Sequence, residues 1–320
     1  GQLSGTRAIA RSNNSITIAL KLSPSSGTFS ETLKSIFLII DVITSIHYSR
    51  TCMIRRILPY ISPKQGDDMT FRKEFDAWKK EHGMHGAKAM DRFIMMKFLQ
   101  RVCFASEDFI FKGGNLLWFY IKTPRETIDI DFSTCVETDS QKVLETLNSI
   151  GHPDEQGLSF KVLGHKVVEE NGKVGLALTV AYSIENARNQ FGVDIVLGVP
   201  TDIAQIQINK QLINAATIEN IIVDKVMASH SFGSGNTRAK DYDDLYRISM
   251  HADEIDASKV VKIAHIKGVD LSFKEEWISE WTLQAWKGHL QQYRKNDLPT
   301  DLAEVVERIS DFLKYLKSKA

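Results

Sequence analysis

An apolar strand that stops at two glycines, followed by two aspartates alternating with apolar residues, most constrains what this chain can fold into. Residues 109–133 read FIFKGGNLLWFYIKTPRETIDIDFS. Glycine loses more backbone entropy on folding than any other residue, and like charges on one face of a strand repel each other. Both features cost stability unless something binds beside them. The stretch therefore indicates a binding site.

The two aspartates suit a divalent cation. Asp129 and Asp131 are two residues apart on a predicted strand, so both carboxylates leave the same face. Oxygens about 6 Å apart would repel by about 3 kcal/mol at an effective dielectric constant of about 20. Mg²⁺ removes that penalty, because it binds one or two carboxylates together with substrate phosphates. The alternative is a strand edge whose acids face water, since the D-x-D pattern is common by chance.

The diglycine suits a phosphate. Gly113 and Gly114 lie between a predicted strand and a predicted helix that Asn115 is able to cap. A backbone without side chains lets a phosphate approach, and the free N–H groups of a helix N-terminus attract it. A plain strand-to-helix turn is the alternative. The pattern lacks the GxxxxGK[ST] of a P-loop.

Three further segments carry charged residues in patterns that admit two interpretations each. Asp194 lies in the apolar strand QFGVDIVLG, either at an edge or as a third metal ligand on a neighbouring strand. Lys225, on the helix IENIIVDKVMA, is either a snorkelling surface lysine or a phosphate contact. Asp241 and Asp244 share one face of the helix TRAKDYDDLYRI, which is either solvated and salt-bridged or part of the site.

The order of periodic segments predicts an α+β fold. Helical spacing begins at Met69, strand-like runs follow over about residues 108–198 with a hairpin signal at Asn171-Gly172, and the chain is predicted to be helical again after Pro200. Alternating βαβ units are missing. We expect a small mixed sheet flanked by helices, with N-terminal helices at 69–105, a core at 106–250 and a helical C-terminal bundle at 251–320.

The first 68 residues show no clean helical or strand period. Their basic, acid-poor composition is compatible with an organelle transit peptide. We favour a non-native or disordered extension over residues 1–68 and exclude it from the fold prediction.

Composition excludes several classes of protein. Lys+Arg and Asp+Glu both total 40, so no global basic field indicates nucleic acid. The cysteines, Cys52, Cys103 and Cys135, are odd in number and form no CxxC pair, which argues against disulfides and zinc and favours the cytoplasm. The best apolar run, at 35–46, is too short to span a membrane and contains Asp41.

Each motif is weak, but their order is specific. Along the chain they are Lys112-Gly113-Gly114-Asn115, Arg125-x-Thr127-x-Asp129-x-Asp131, Asp194, Glu219…Lys225 and Arg238-x-Lys240-Asp241-x-x-Asp244. This order, over about residues 105–250, resembles the nucleotidyltransferase AbiEii/AbiGii toxin family of the polymerase-β-like nucleotidyltransferase superfamily. Asn115 stands where that family more often has a small hydroxyl residue.

The resemblance implies a fold and an activity. The fold would be an antiparallel-leaning mixed sheet with a helical C-terminal bundle. The activity would be Mg²⁺-dependent transfer of a nucleoside monophosphate from an NTP to an acceptor such as tRNA or another RNA. The protein would be the toxin of a bacterial toxin–antitoxin or phage-defence (abortive infection) pair, with a cognate antitoxin as partner and no membrane association.

The resemblance also implies roles for individual residues. Asp129 and Asp131 would hold Mg²⁺, with Asp194 as a third ligand. Gly113 and Gly114 would hold the triphosphate and Lys225 would neutralise it, while Asp241 would act as catalytic base or as organiser of Lys225. Further nucleotide contacts would come from Lys112, Asn115, Arg125, Arg238 and Asp244.

Two other functions fit the same residues. The D-x-D pattern also binds metal in nucleotide-sugar glycosyltransferases, although those folds place it in a Rossmann-like parallel sheet. A non-catalytic nucleotide-binding module would keep the scaffold without turnover.

Overall fold

A computed structural model describes residues 70–123, 127–134, 139–170, 173–209, 211–292 and 297–320, together with a short antiparallel pairing of Arg11–Ser12 with Ser15–Ile16. Two compact units, Gly1–Asp68 and Met69–Ala320, divide the chain, and the fold below is that of the second. Several predictions fall outside the described residues: those on the extension 1–68, Cys52, Arg125, Cys135 and Asn171-Gly172.

Seven strands of the described part form one mixed sheet. They are β1 (Phe109–Lys112), β2 (Asp129–Thr134), β3 (Ser159–Glu170), β4 (Lys173–Ile184), β5 (Ala187–Val196), β6 (Ile203–Ile208) and β7 (Gln211–Ala216). Their order across the sheet is β3-β4-β5-β2-β1-β7-β6. The pairs β5/β2 and β1/β7 are parallel and the others antiparallel, which confirms the antiparallel-leaning mixed sheet.

Helices precede, interrupt and follow this sheet. Within the described residues they are α1 (Phe71–His82), α2 (Ala87–Ala105), α3 (Gly113–Ile121), α4 (Ser140–Ser149), α5 (Ile218–Phe232), α6 (Ala239–Ser249), α7 (Ala257–Lys267), α8 (Glu280–Gln292) and α9 (Leu302–Lys319). Helix α9 packs on α6 and α7, and α8 packs on α6, so the α+β fold with a helical C-terminal part is confirmed. In the described ranges, no helix combines the length and apolar character that a bilayer crossing requires.

Helix starts follow local sequence signals. The side chain of Asp139 accepts a hydrogen bond from the backbone N–H of Lys142 at 2.8 Å and so caps the start of α4. Thr217 caps α5 and Asp256 caps α7 in the same way. A side-chain oxygen at this position satisfies a backbone N–H that lacks a partner in the helix, so these boundaries are set locally.

The prediction that the chain turns directly to helix after Pro200 is wrong, because residues 203–216 form the hairpin β6–β7. Asn209 turns this hairpin with a φ of 47°, a left-handed conformation that asparagine adopts more readily than most residues. Strand β7 pairs with β1 at Ala215 and Phe111, and α5 begins directly after it. The missed hairpin is therefore what brings α5, with Lys225, beside the diglycine.

The three tryptophans of the C-terminal part differ in burial although they lie at roughly helical spacing. Trp277 and Trp286 are buried, whereas Trp281 is 64% exposed. The indole of Trp286 donates a hydrogen bond to the carbonyl of Pro299 at 3.2 Å, which ties α8 to the segment before α9.

Candidate active site

The sheet register brings three charged side chains into one row. Asp131 pairs with Asp194 across β2 and β5, and with Lys112 across β2 and β1. Residues paired across strands present their side chains on the same face. Asp129, two residues before Asp131, shares that face and pairs with Gly192. The three predicted carboxylates therefore lie on one face of adjacent strands.

Two glycines leave room for two of these carboxylates. Gly113 has a φ of +77°, and a Cβ there would overlap the carboxylate of Asp131. A Cβ at Gly192 would lie 2.5 Å from Oδ1 of Asp129. Both positions need glycine because the aspartate takes the space of a side chain, and Gly113 also has a backbone conformation that glycine adopts without strain. The start of α3 and β2 are thus in direct contact.

The pKa values show negative charge that the protein leaves partly uncompensated. Burial raises the pKa of Asp131, and Asp194 raises it further, against the opposing charges of Lys112 and Lys240. Burial also raises the pKa of Asp194, with Asp129 as the next cause. An arrangement of this kind favours the arrival of a cation, since a cation stabilises the ionised form of each carboxylate.

A cavity of about 140 Å³ lies beside this row. One wall consists of Lys112, Gly113, Gly114 and Asp131, and the opposite wall comes from α5 and from the start of α6. The α5 residues on it follow helical spacing and share one face: they are Ile221, Asp224, Lys225 and Ala228. Thr127, Arg238, Lys240 and Asp241 complete the lining.

Lys225 joins α5 to α6 through two buried carboxylates. Its Nζ lies 3.1 Å from Oδ1 of Asp241 and 2.5 Å from Oδ2 of Asp244. Nε of Arg238 donates to the other oxygen of Asp241 at 2.7 Å. Burial alone would raise the pKa of Asp241, but the charges of Lys225 and Arg238 outweigh it and hold that pKa below its usual value. Asp241 is therefore ionised at neutral pH, and it holds the charged side chains of Lys225 and Arg238 beside the cavity.

A larger cleft of about 700 Å³ adjoins the cavity. Thr127, Arg238 and Lys240 line both spaces, so the two are neighbours along one wall. Asp129 and Ile128 line the cleft on the β2 side, and α8 forms its far side.

Another cleft of similar volume, between Pro200 and α7, contains none of the predicted residues. Its Lys259 is paired with Asp202 at 2.8 Å and its Lys267 with Asp224 at 2.7 Å. We therefore place the candidate active site at the diglycine.

The structure distributes the predicted residues unevenly. Asp129 lines the cleft, Asp194 lies beside Asp131 in the row, Asp244 is buried behind Lys225, and Arg125 lies outside the described residues. The cavity collects the others: Lys112, Gly113, Gly114, Asp131, Lys225, Arg238 and Asp241.

Asn115 departs from its prediction. Helix α3 begins at Gly113, not after Asn115, and its N-cap residue is Lys112, so the predicted cap is wrong. The reason is the close approach of Asp131 to Gly113, which starts the helix where the strand ends. Asn115 is fully buried, and its Nδ2 donates to the backbone carbonyl of Asp129 at 2.6 Å. It ties α3 to the first residue of β2 and does not line the cavity.

Three residues of the site escaped the sequence prediction of roles. Lys240 lines both the cavity and the cleft and lowers the pKa values of Asp131 and Asp194. In the sequence, only its position between Arg238 and Asp241 in the motif pointed to a role in the site. Asp224 lines the cavity one residue before Lys225. Trp281 carried no signal, because helical spacing groups it with two buried tryptophans.

Comparison with known families decides the identity. A family model described as the nucleotidyl transferase AbiEii toxin of a type IV toxin–antitoxin system matches residues 97–308, more than half of the 320 residues. The chain belongs to the AbiEii family. It is accordingly a nucleotidyltransferase of a toxin family, and the matched range contains the diglycine, the row of carboxylates and the cleft.

Solved structures that match the chain include two from Helicobacter pylori. One, described as a candidate nucleotidyltransferase, is 14% identical over 74% of this chain and 97% of its own, with a TM-score of 0.47. The other, JHP933, is 14% identical over 74% and 94%, with a TM-score of 0.46.

An antigenic nucleotidyltransferase-like protein from Paracoccidioides brasiliensis is 14% identical over 66% of this chain and 93% of its own, with a TM-score of 0.31. A search of curated proteins returns no match.

Proposed function

We propose that this AbiEii-family protein transfers a nucleoside monophosphate from an NTP to an RNA acceptor such as tRNA, with Mg²⁺, as the toxin that a cognate antitoxin restrains. The single observation that supports the site is the contact between Gly113 and the carboxylate of Asp131. It places a helix N-terminus, which attracts phosphate, directly against a carboxylate that would attract the metal.

The carboxylates fit Mg²⁺ by their donor chemistry. No three His, Cys, Asp or Glu side chains in the described ranges form a group that could hold a metal ion alone. Mg²⁺ commonly takes one or two carboxylates plus substrate phosphates, so such a group is not required. Asp129 and Asp131 would hold the ion, with Asp194 as the third candidate. The bound ion would neutralise phosphate charge and stabilise the leaving pyrophosphate.

The triphosphate belongs in the 140 Å³ cavity. The N–H groups of Gly113 and Gly114 begin α3 without a capping side chain, which leaves them available to phosphate oxygens. Lys112, Lys240 and Arg238 line the same space and supply positive charge. In the reaction, an acceptor hydroxyl oxygen bonds to the α-phosphorus, the bond from that phosphorus to its bridging oxygen breaks, and pyrophosphate leaves.

Asp241 and Asp194 have different protonation behaviour, which separates their roles. The lowered pKa of Asp241 and its two cationic partners make it a weak proton acceptor, so we assign it to positioning Lys225 and Arg238. Asp244 positions Lys225 in the same way. Burial and then Asp129 raise the pKa of Asp194, so an arriving cation would stabilise its ionised form, in keeping with its place as the third metal candidate. The proton of the attacking hydroxyl would pass to solvent.

In the test, the protein is incubated with each labelled NTP, Mg²⁺ and total tRNA. The label incorporated into RNA and the pyrophosphate released are measured. We expect both signals in the wild type and their loss in Asp131→Asn, while the exposed Asp311→Asn stays active. Retained transfer in Asp131→Asn would refute the metal assignment.

Two alternatives have their own outcomes. Transfer from a labelled nucleotide sugar would favour a glycosyltransferase. NTP binding without pyrophosphate release would favour a non-catalytic module.

A further inference from the structure

The cavity at the diglycine is too small for a whole nucleotide. Its volume is about 140 Å³, whereas pockets for small molecules and cofactors measure about 300–1,000 Å³. The adjoining cleft measures about 700 Å³ and shares Thr127, Arg238 and Lys240 with the cavity. A ligand whose phosphates fill the cavity would therefore extend past these three residues into the cleft.

One face of α8 forms the far wall of this cleft. The face follows helical spacing and consists of Trp281, Gln284, Ala285, Gly288 and Gln292. Gly288 has no side chain to obstruct a ligand, and a Cβ there would meet nothing within 4 Å. The wall thus combines an aromatic ring, two side-chain amides and open space.

Two large apolar side chains of the cleft are exposed. Trp281 is 64% exposed and Ile128, directly before Asp129, is 74% exposed. Large apolar side chains exposed together indicate a binding surface rather than core. A nucleobase is a flat ring that stacks on tryptophan, and such stacking tolerates every base.

Two amides are available to distinguish one base from another. Gln284 and Gln292 are exposed and make no side-chain hydrogen bond with the other described residues. A glutamine amide has an NH₂ group that donates hydrogen bonds and a carbonyl oxygen that accepts them. It can therefore pair with the edge of a base, which carries hydrogen-bond donors and acceptors. The cleft therefore has a surface for stacking and groups for recognition.

Buried polar contacts hold this wall in place. His289, which also lines the cleft, lies with Nε2 2.9 Å from Oδ2 of Asp243 on α6. Arg247 donates to Asp243 at 2.5 Å and to both oxygens of Asp297. Because α6 also carries Lys240, the two sides of the cleft are tied together before any ligand arrives.

We infer that the cleft binds the nucleoside of the donor NTP, with the base against Trp281 and its edge within reach of Gln284 and Gln292. This inference rests on the proposed function and adds the residues that select the base. The continuity of the cleft with the phosphate cavity favours the donor nucleotide over the acceptor, whose nucleotide is the competing occupant.

The test compares NTP with tripolyphosphate, which carries the phosphates without a nucleoside. Direct binding is measured with Mg²⁺ for the wild type, Trp281→Ala, Trp281→Phe and Leu283→Ala. Leu283 is a matched control, because it lies on α8 and is 37% exposed but does not line the cleft. We expect Trp281→Ala to weaken NTP binding about tenfold and Trp281→Phe to weaken it less. Tripolyphosphate binding and Leu283→Ala should stay at wild-type levels.

Other outcomes overturn the inference. Unchanged NTP affinity in Trp281→Ala would overturn it. If the KM of the RNA acceptor rises in that variant instead, the cleft binds the acceptor and the inference is also overturned. An equal loss of NTP and tripolyphosphate binding in Trp281→Ala would also overturn it, because Trp281 would then not act on the nucleoside. Failure of the proposed function can be distinguished from failure of this inference, because the wild type would then release no pyrophosphate.

Gln284→Ala provides a second readout. We expect it to change the ratio of affinities among the four NTPs, while tripolyphosphate binding is unaffected. An unchanged ratio in both Gln284→Ala and Gln292→Ala would refute base recognition by α8.

Discussion

The carboxylate of Asp131 occupies the space that a Cβ at Gly113 would take. This contact joins the first residue of α3 to the middle of β2, and it explains why a glycine directly follows the strand β1. A helix N-terminus and a carboxylate that would hold Mg²⁺ are adjacent because no side chain separates them.

Substitution of Gly113 tests this contact. Gly113→Ala would force the Asp131 carboxylate aside and place alanine at a φ of +77°, so we expect loss of nucleotidyl transfer and a lower free energy of unfolding by about 1–3 kcal/mol. Gly164→Ala is the control, because a Cβ there meets nothing within 4 Å. Transfer rates and urea unfolding measure both effects. Wild-type activity in Gly113→Ala would contradict the contact.

The buried position of Lys225 predicts a large effect on stability. Lys225→Met would remove the cation that the buried carboxylates of Asp241 and Asp244 share and would leave Arg238 paired with Asp241, and removing one partner of a buried ion pair costs about 3–5 kcal/mol. Lys314→Met removes a surface pair with Asp311, in which both side chains are more than half exposed, and should cost less than about 1 kcal/mol. Denaturant unfolding compares the two variants. Equal costs would show that Lys225 does not stabilise these carboxylates.

Asn115 distinguishes positioning from nucleotide binding. Asn115→Ala removes the hydrogen bond to the Asp129 carbonyl, and we expect a loss of stability of about 1–3 kcal/mol. If Asn115 positions β2, kcat falls while the KM for NTP changes little. Asn189→Ala, which loses an exposed hydrogen bond to Asp91, is the control. A raised KM with unchanged kcat would instead support a nucleotide contact.

Three tyrosines predict the response to alkaline pH. Burial raises the pKa of Tyr120, Tyr182 and Tyr242 to about 12 in each case. Because the pKa in the folded state is above the unfolded value of about 10, the stability they contribute is complete below about pH 10 and is lost as pH rises through about 12. Ultraviolet absorbance should show three tyrosines ionising late, and Tyr242→Phe should remove one. Ionisation of all near pH 10 would contradict these environments.

Much of the local structure was predictable from the sequence. The alternation of apolar residues around Asp129 and Asp131 predicted β2, and the helical spacing that begins at Met69 predicted the N-terminal helices. These features depend on residues within a few positions of one another. The hairpin β6–β7 was missed because its strands lie directly before the strong helical pattern of α5. The domain boundaries within 69–320 and the roles of the site residues remain predictions.

The sequence by itself determined which chemical groups were available: a diglycine, alternating aspartates and a lysine-bearing helix. Only the tertiary structure decided that Asp194 pairs with Asp131, that Lys225 is held by Asp241 and Asp244, and that Trp281 is exposed. The physical reason is distance along the chain. Periodicity reports which face of an element a side chain occupies, whereas sheet order and helix packing bring together residues that are far apart in sequence.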